Sequence, residues 1–415
     1  MTEVTVAERA AGAARWLAAR GIREGSRVAL DVPDVLPWFL GADLLGAASL
    51  VVEPSWTPRD RAAVLADARP DLVVSGVDAP TGPPLRRAGH GGTSFYLPTT
   101  SGSSGSPKVL ARTRDSWRLS FAALGPLPGP VLVPGPLSSS LFLFGALHAL
   151  WCEQPIRTLD RWDPERAAPT DAATVHLVPA MLSALLAVLE RRPCSALRTT
   201  LRTVVCGGAH LGDDVRARFA GVLPDAELIE YYGSAEHSLI AIRRGAGGLQ
   251  PVAGVDLDVR DGVLWVRSPL AYEGRLDGGR LVPAGEWSTV GDRVSVTPSG
   301  SLVVHGRAGA VVHSGGRLVL AEKVEAALRT APGVGDVLVT GTPHPRFGEL
   351  VTAVVEGDAA LRDLRAVARE LLAPANRPRR WLRTRELPRT PSGKPARALV
   401  TERLAAGTLP AEPMT

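Results

Sequence analysis

The sequence predicts an α/β protein with a large N-terminal domain of α/β layers, a small antiparallel β subdomain and a small α+β C-terminal domain. Strands and helices alternate up to about residue 238, which is typical of a parallel sheet covered by helices. Residues 255–266 then alternate with period two about Asp261-Gly262, and a second turn follows at 298–300. Such patterns indicate antiparallel hairpins. From residue 306 short strands and helices mix, so we place the domains at 1–305 and 306–415.

Local patterns place the individual elements. Thr57 and Pro58 are the residue types expected at a helix N-cap and first position, and Asp213 is predicted to cap a later helix. Residues 374–390 are rich in arginine and proline and are predicted to be irregular. The other predicted elements are helices at 7–20, 36–48, 141–151, 179–191, 321–329 and 360–372 and strands at 27–32, 50–54, 71–75, 131–133, 174–178, 201–206, 336–340 and 350–355.

Composition narrows the class of protein. A chain of 415 residues is long enough for two or more domains. A net charge of +5 with interspersed signs is too weak and diffuse for a nucleic-acid partner. The cysteines, Cys152, Cys194 and Cys206, have no metal or disulfide spacing. We find no signal-peptide core and no apolar run that spans a membrane, and expect a cytoplasmic protein.

The stretch from Leu97 to Lys108 is the strongest candidate for a binding site. It combines hydroxyls, two glycines and a lysine after an extended segment. Glycines let backbone N–H groups approach an anion closely, so the stretch predicts a polyphosphate loop. It is not a Walker A motif, because Pro107 precedes Lys108 and Val109 follows it. A flexible Ser/Gly linker is the alternative interpretation.

The scarcity of lysine favours the binding interpretation. Of the 47 basic residues only three are lysine, namely Lys108, Lys323 and Lys394. An ammonium group on a flexible stem is not readily replaced by arginine at a tight phosphate site. Lys108 and Lys394 both lie in Gly/Ser-containing segments.

Further segments carry chemistry in a fixed order along the chain. Residues 230–236 offer tyrosine rings for an adenine and a carboxylate, Glu236, for Mg²⁺. Asp292 follows a glycine and can accept hydrogen bonds from ribose hydroxyls, and Gly306-Arg307 can supply a donor. A loop at 313–316 leads into a helix, and residues 388–397 present Lys394 on a proline-braced turn.

Taken together, these segments resemble the adenylate-forming superfamily of acyl-CoA synthetases, nonribosomal peptide synthetase adenylation domains and luciferases. The resemblance extends from Arg27 to Arg397, and the loop and the terminal turn are its most specific parts. It implies a two-step ligase that uses ATP and Mg²⁺. A carboxylic acid becomes an acyl-adenylate, and a thiol of CoA or of a carrier-protein phosphopantetheine takes the acyl group. It also implies that the C-terminal domain is mobile, with its hinge near Gly306-Arg307.

The resemblance also assigns roles to individual residues. Lys394 would bridge the substrate carboxylate and the phosphate, and Glu236 would bind Mg²⁺. The β- and γ-phosphates would be held by Thr100, Ser101, Gly102, Ser103, Ser104, Gly105 and Lys108. The rest of the nucleotide site would comprise Gly207, Gly208, Ala209, Tyr231, Tyr232, Gly233, Ser234, Asp292 and Arg307.

The acyl pocket is expected around the apolar helix that begins at Leu141. Its candidate residues are Leu141, Phe142, Phe144, Gly145 and His237. The helix lacks the aspartate that binds an α-ammonium in amino-acid-activating relatives. We therefore expect a hydrophobic or aromatic acid rather than an α-amino acid.

Several residues depart from the pattern of the superfamily. They are Val109 for glycine, Ser139 for histidine, Ala235 for threonine, Gly309 for the hinge aspartate and His313 for lysine. These departures leave alternatives open. The adenylate could pass to a carrier protein, an amine or another nucleophile, or the chain could be a non-catalytic nucleotide- or acyl-binding relative.

Overall fold

The computed structural model describes residues 5–100, 107–159, 161–209, 211–307, 310–314, 317–344, 348–390 and 393–415. The N-terminal part contains two mixed sheets and a small antiparallel sheet, and the C-terminal part is built around a fourth sheet. The predicted α/β class and the order of its layers are confirmed. Within the described residues, no helix has both the length and the apolar character needed to cross a bilayer.

Helix ends follow the local capping chemistry. Thr5 caps the first helix in a capping box with Glu8, and Thr57 caps the third with Pro58 at its first position, as predicted. Gly212, not the predicted Asp213, is the N-cap of the ninth helix. The helices are α1 (Val6–Ala18), α2 (Val35–Leu44), α3 (Pro58–Ala68), α4 (Arg114–Leu124), α5 (Ser140–Trp151), α6 (Pro164–Ala167), α7 (Pro179–Arg191), α8 (Ala196–Thr200), α9 (Asp213–Val222), α10 (Ala321–Leu328), α11 (Leu361–Leu371) and α12 (Arg397–Ala405).

Strands and helices alternate through about the first half of the chain, and strands dominate after α9. The strands are β1 (Arg27–Asp31), β2 (Ala48–Val51), β3 (Leu72–Ser75), β4 (Ser94–Tyr96), β5 (Thr99–Thr100), β6 (Lys108–Thr113), β7 (Val131–Val133), β8 (Ile156–Thr158), β9 (Thr174–Leu177), β10 (Thr203–Gly207), β11 (Glu227–Ser234), β12 (Ser238–Arg244), β13 (Gln250–Pro251), β14 (Asp256–Arg260), β15 (Val263–Arg267), β16 (Gly274–Asp277), β17 (Arg280–Pro283), β18 (Asp292–Val296), β19 (Leu302–Arg307), β20 (Val311–Ser314), β21 (Arg317–Leu320), β22 (Val334–His344), β23 (Gly348–Gly357), β24 (Arg380–Thr384) and β25 (Ala411–Pro413).

The first two sheets each join a parallel half to an antiparallel half. The first has the order β17-β16-β6-β4-β2-β1-β3, with β5 paired to β6. The second has the order β13-β12-β11-β10-β9-β7-β8, in which β8, β7, β9, β10 and β11 run parallel. Ligands of such sheets bind in the crevice outside the carboxyl ends of the parallel strands. The carboxyl ends of β9, β10 and β11 therefore define where a site is expected.

The small antiparallel sheet contains both predicted hairpins, β14–β15 and β18–β19. Asp261 (φ 51°) and Gly262 (φ 78°) form the turn of the first hairpin. Two consecutive residues with positive φ are what a tight two-residue hairpin turn requires. Strand β19 ends at Arg307, so the small sheet extends two residues beyond the predicted domain boundary at 305/306.

The C-terminal sheet has the order β21-β20-β23-β24-β25, with β22 paired to β23. Strand β24 lies inside the segment predicted to be irregular, and that prediction was wrong. Trp381 and Leu382 are buried on its two faces, in separate apolar clusters, while Arg380 and Arg383 are exposed. Both faces of this short strand are covered, and an arginine flanks its buried apolar pair on each side. The strand therefore lacks an alternating apolar and polar pattern, so the sequence did not reveal it.

A buried ion pair joins α4 to α2. The Nε atom of Arg114 donates to Oδ1 of Asp43 over 2.6 Å, and both side chains are less than 9% exposed. Nη1 of Arg114 also donates to the carbonyl oxygen of Ala88 over 2.7 Å. Breaking a buried ion pair leaves an unpaired charge in the interior. The Arg114–Asp43 pair therefore holds α4 and α2 together.

Two histidines are buried beside α5 and the second sheet. His148 on α5 and His176 on β9 lie with ring centroids 6.5 Å apart. Burial lowers the pKa of His176 to about 3, with a contribution from His148, and burial lowers the pKa of His148 to about 4. The Nε2 atom of His176 has no hydrogen-bond partner in the described part of the chain. Both imidazoles are therefore neutral in the folded protein at pH 7.

We predict that His176→Leu makes the fold less sensitive to acid. In the unfolded chain His176 takes up a proton below its ordinary pKa of 6.5, whereas the folded chain does not until about 3. The free energy of unfolding therefore falls as pH drops from 7.5 to 5, by about 2 kcal/mol for this residue. Denaturant unfolding of wild type and variant at both pH values measures the effect. If the variant lost as much free energy of unfolding between pH 7.5 and pH 5 as the wild type, the neutral, buried state of His176 would be contradicted.

Candidate active site

The candidate site lies at the carboxyl ends of β10 and β11. The two strands run parallel, with Gly207 opposite Tyr231. Gly208 and Ala209 continue from β10, while Tyr232, Gly233 and Ser234 complete β11. The residues for which the resemblance implies adenine contacts therefore lie side by side at one edge.

The side chain of Lys394 reaches this edge from the C-terminal domain. A β-carbon built on Gly208 would lie 2.8 Å from Cε and 2.9 Å from Nζ of Lys394. The same position would be 3.4 Å from Cδ1 of Leu141. Gly208 has φ +86°, so the backbone conformation and the close lysine both require glycine. The structure thus brings together the glycine that directly follows β10, an apolar residue of α5 and the lysine of a distant turn.

The turn that carries Lys394 is held within its own domain by Arg389. Nη1 of Arg389 donates to the carbonyl oxygen of Gly393 over 3.0 Å and to Oδ2 of Asp336 over 3.1 Å. Nη2 donates to both carboxylate oxygens of Glu356, over 2.9 and 3.0 Å. The Asp336 side chain is only 4% exposed. The two-pronged guanidinium contact on Glu356, together with the bond to the buried Asp336, gives the turn a defined position.

The same turn packs on the second sheet of the N-terminal domain. A β-carbon on Gly393 would lie 4.0 Å from Cγ2 of Val178 and 4.0 Å from Sδ of Met181. Val178 directly follows β9, and Met181 is in the first turn of α7. These apolar contacts place the lysine at the carboxyl edge of the sheet.

The two tyrosines of β11 have different surroundings. The ring of Tyr231 covers Gly207, whose β-carbon would lie 2.3 Å from Cζ of that ring. Tyr232 donates its phenolic hydrogen to the buried Asp292 carboxylate in a short hydrogen bond. Asp292 begins β18 directly opposite Arg307 of β19. Tyr232, Asp292 and the backbone of Arg307 therefore form one group beside Gly208.

The turn from β11 to β12, which carries Glu236, is constrained by its own backbone. A β-carbon on Gly233 would lie 1.9 Å from the carbonyl oxygen of Ser238, so only glycine fits there. Ser238 itself has φ +57° and bonds through its hydroxyl to Ser120 over 2.7 Å. The N–H of Tyr272 donates to the carbonyl oxygen of Glu236 over 2.7 Å. The backbone that carries Glu236 is thus held in place before any ligand arrives.

His237 is a structural part of this turn. Its ring nitrogens lie 3.2 Å from the Ser234 hydroxyl and 2.8 Å from the Ser288 hydroxyl. Burial lowers the pKa of His237 to about 4, and the nearby Arg112 cation adds to the effect. The imidazole is neutral at pH 7 and is occupied by these hydroxyls. Its expected role in substrate binding stays a prediction.

The phosphate loop is described only at its ends. Thr100 of β5 pairs with Lys108 of β6, whose side chain is exposed. Ser101, Gly102, Ser103, Ser104 and Gly105 lie outside the described residues. Four residues after Lys108, the buried Arg112 donates from Nη1 to the carbonyl oxygen of Ala235 over 2.8 Å. The strand that begins with the loop lysine is therefore joined directly to the Glu236 turn.

The remaining candidates of the acyl pocket lie in the interior of the domain. Phe142 fills the space beside Gly135, whose β-carbon would lie 2.0 Å from its ring. The Phe144 ring packs on Trp117 and Phe121, with centroids 5.5 and 5.0 Å away. A β-carbon on Gly145 would be 2.9 Å from the His176 ring. Of these candidates, Leu141 lies beside the Gly208–Lys394 contact.

The departures from the superfamily pattern also have local explanations. Val109 is fully buried in the apolar cluster under β6. Ser139 is the buried N-cap residue of α5, and Ala235 accepts the Arg112 hydrogen bond through its backbone. Gly309 lies outside the described residues, and His313 is on β20.

Sequence reasoning missed two arginines that support the site, Arg112 and Arg389. Arg112 interrupts the apolar run of β6, and an arginine within such a run is a signal for a buried charge. Arg389 lies in the quoted terminal motif, but its acceptors Asp336 and Glu356 are far away in sequence. Nothing local in the sequence identifies those partners.

Comparison with protein-family models identifies the class. The model described as AMP-binding enzyme matches residues 2–91 and 78–263, which is more than half of the chain. The model of the AMP-binding enzyme C-terminal domain matches residues 323–394. Fold and site together define an adenylate-forming enzyme. The chain belongs to the AMP-binding enzyme family and is an AMP-forming ligase.

Individual relatives agree with this family. The uncharacterized acyl-CoA ligase YhfT of Bacillus subtilis (strain 168) is 27% identical over 430 residues, covering 90% of this chain and 87% of that protein. An E. coli MenE variant with bound OSB-AMS and ATP-bound MatB from Rhodopseudomonas palustris both superpose with a TM-score of 0.83. These structures cover 97% of this chain and 92% and 93% of their own chains, at 21% and 20% identity. At that identity the likeness shows the fold.

We predict that Gly208→Ala slows adenylate formation by on the order of 10²-fold, because the new methyl group displaces the Lys394 ammonium. Gly300→Ala is the matched control, since Gly300 has φ +80° and nothing within 4 Å of its β-carbon position. Both variants carry similar backbone strain, so their thermal unfolding should shift alike. Pyrophosphate exchange measures the rate. Equal exchange rates in the two variants would contradict the proximity of Lys394 to Gly208.

Proposed function

We propose that this chain uses ATP to activate a hydrophobic or aromatic carboxylic acid as an acyl-adenylate and transfers the acyl group to CoA. In the first step a carboxylate oxygen bonds to the α-phosphorus, and the bond from that phosphorus to pyrophosphate breaks. In the second step the sulfur of a thiol bonds to the acyl carbon, AMP leaves and the thiol proton goes to solvent. The observation that carries the proposal is the contact between the Lys394 side chain and Gly208.

The first step has to bring two anions together. A carboxylate and a phosphate repel each other, and the negative charge moves between them as the new bond forms. Lys394 is the cation at the carboxyl edge of the second sheet, and its turn is held in place by Arg389. A cation fixed before the reaction stabilises the developing charge without reorganisation of solvent. Lys108, which follows the phosphate loop, would hold the leaving pyrophosphate.

The nucleotide fits the group formed by Gly208, Tyr232 and Asp292. Gly208 exposes flat backbone to an adenine, and the Tyr232 ring lies on the adjacent strand. The Asp292 carboxylate accepts the Tyr232 hydrogen bond and has further acceptor capacity for ribose hydroxyls. Arg307 is its cross-strand neighbour. The same arrangement therefore supports roles for both residues at the ribose.

The donor set around Glu236 fits Mg²⁺ that arrives with ATP. Among the described residues, no group of three or more His, Cys, Asp or Glu side chains is close enough to hold a metal. Mg²⁺ typically binds through one or two carboxylates plus substrate phosphates and waters, so one oriented carboxylate suffices. Glu236 would hold the ion, which when bound neutralises phosphate charge.

The surroundings of Leu141 support a hydrophobic or aromatic acid. Helix α5 has no acidic residue to bind an α-ammonium, and Leu141 lies beside Gly208. Deeper in the domain, the Tyr231 ring covers Gly207 and the His176 ring lies against Gly145. This apolar and aromatic environment favours a hydrophobic or aromatic acid over an α-amino acid.

The group that accepts the acyl group in the second step is less constrained than the acid. Acyl-CoA ligase relatives support CoA. A carrier-protein phosphopantetheine or an amine would react with the same adenylate, because the chemistry at the acyl carbon is the same. Ala235, Ser139 and Gly309 motivate a further alternative, a relative that binds nucleotide or acid without catalysis.

A panel of carboxylic acids tests the proposal. Pyrophosphate release is measured with ATP and Mg²⁺ for benzoates, short- and long-chain fatty acids and α-amino acids, each with and without CoA. We expect release with hydrophobic or aromatic acids and little with amino acids. With CoA we expect continuous turnover and an acyl-CoA product detectable by mass spectrometry. Reactions with EDTA in place of Mg²⁺ are the control.

The alternatives give distinct results in the same panel. ATP binding without pyrophosphate release for any acid would favour the non-catalytic alternative. A burst of pyrophosphate that CoA does not convert into turnover would contradict CoA as the acceptor. In that case turnover with a phosphopantetheinylated carrier protein or with an amine would identify the other acceptor class.

A further inference from the structure

Arg112 is a charged side chain in the interior of the N-terminal domain. It lies on β6, four residues after Lys108, and is 1% exposed. Among the described residues, no carboxylate lies within ion-pairing distance of its guanidinium. A buried cation without a direct ion pair is costly unless it is well hydrogen-bonded. Its hydrogen bonds therefore indicate why an arginine occupies this position.

The guanidinium binds mainly backbone carbonyl groups. Nη1 donates to the carbonyl oxygens of Ala235 and Glu236 over 2.8 and 3.2 Å. Nη2 donates to the carbonyl oxygen of Leu270 in a short hydrogen bond and to the Ser116 hydroxyl over 3.3 Å. Two of the four acceptors thus belong to the turn that carries the proposed metal-binding carboxylate.

Electrostatics keeps this side chain charged. Burial lowers the pKa of Arg112 to about 9, and the Glu236 carboxylate opposes that shift. The guanidinium is a cation at neutral pH, so its hydrogen bonds to carbonyl oxygens are charge-assisted. Such bonds are shorter and stronger than those between neutral groups.

The Arg112 contact does not depend on the side chain at position 235. The superfamily pattern has a threonine there, and this chain has Ala235. Because Arg112 binds the carbonyl oxygen of that residue, the backbone of the turn is held although the hydroxyl is missing. The same guanidinium is carried by the strand that begins with Lys108. One side chain therefore joins the end of the phosphate loop to the Glu236 turn.

We propose that Arg112 is a positioning residue that holds the Glu236 turn against β6, the strand that begins with Lys108, for Mg²⁺ bound with ATP. This inference rests on the proposed function in one respect, the assignment of Glu236 to the metal. It goes further because it names Arg112 as the group that positions Glu236. Partners of metal ligands typically change metal affinity or activity by about 10–100-fold when they are replaced.

Nucleotide binding to the full-length protein tests the proposal without requiring catalysis. Calorimetry measures the affinity for ATP in the presence of Mg²⁺ and in the presence of EDTA. The ratio of these two affinities is the gain in ATP affinity from the metal. We expect Arg112→Lys, which keeps the charge but loses the planar fork, to lower this gain about tenfold. Arg112→Met should lower it further.

Arg114→Lys is the matched control. Arg114 lies on the same chain segment, is also buried and binds Asp43 instead of the Glu236 turn. We expect both lysine variants to lower the thermal unfolding midpoint. The gain in ATP affinity from Mg²⁺ should fall in Arg112→Lys and stay at the wild-type value in Arg114→Lys.

Each outcome decides whether Arg112 positions Glu236. A wild-type metal gain in Arg112→Lys would overturn the proposal, even if stability fell, since Arg112 would then be purely structural. An ATP affinity of the wild type that does not depend on Mg²⁺ would also overturn it. If the wild type binds Mg²⁺ and ATP together but activates no acid, the proposed function fails while the role of Arg112 is still measured.

Discussion

The contact between the Lys394 side chain and Gly208 is the constraint on which the rest of the site depends. At about 4 Å, two like unit charges repel by roughly 1 kcal/mol in water and about 4 kcal/mol near a protein surface. A carboxylate and a phosphate meet this barrier when they approach. An ammonium at the same place offsets it, and only a glycine directly after β10 leaves room for it. Lys394 comes from another domain, so its proposed role makes the chemistry depend on how the two domains meet.

Hydrogen bonds and close packing hold the backbone on both sides of the site. On the C-terminal side, Arg389 ties the lysine turn to the buried Asp336 and to Glu356. On the N-terminal side, Gly233 and Arg112 hold the Glu236 turn. Charged groups whose supports are already in place lose little freedom on binding. The mobility that the superfamily implies would therefore move the Lys394 turn together with the domain that holds it through Arg389.

Much of this architecture can be predicted from the sequence, because the signals are local. The Asp261-Gly262 hairpin and the Thr57-Pro58 helix start follow from backbone preferences of those residues. Strand β24 was missed because arginines surround its two buried apolar residues. The Ala235 acceptor of Arg112 and the carboxylate acceptors of Arg389 were missed because they lie more than 30 positions away along the chain. Motifs reveal the residues that act on a ligand, whereas the residues that position them depend on tertiary contacts.

The most direct measurement of the central claim separates the two half-reactions of Lys394→Ala. Adenylation is followed by pyrophosphate exchange, and acyl transfer by reaction of a supplied acyl-adenylate with CoA. Lys323→Ala is the control, because it removes an exposed lysine of the same domain on α10. The account predicts that Lys394→Ala loses adenylation by on the order of 10²–10³-fold, keeps most of the transfer rate and leaves the control unaffected. Equal loss of both half-reactions, or wild-type adenylation without Lys394, would contradict it.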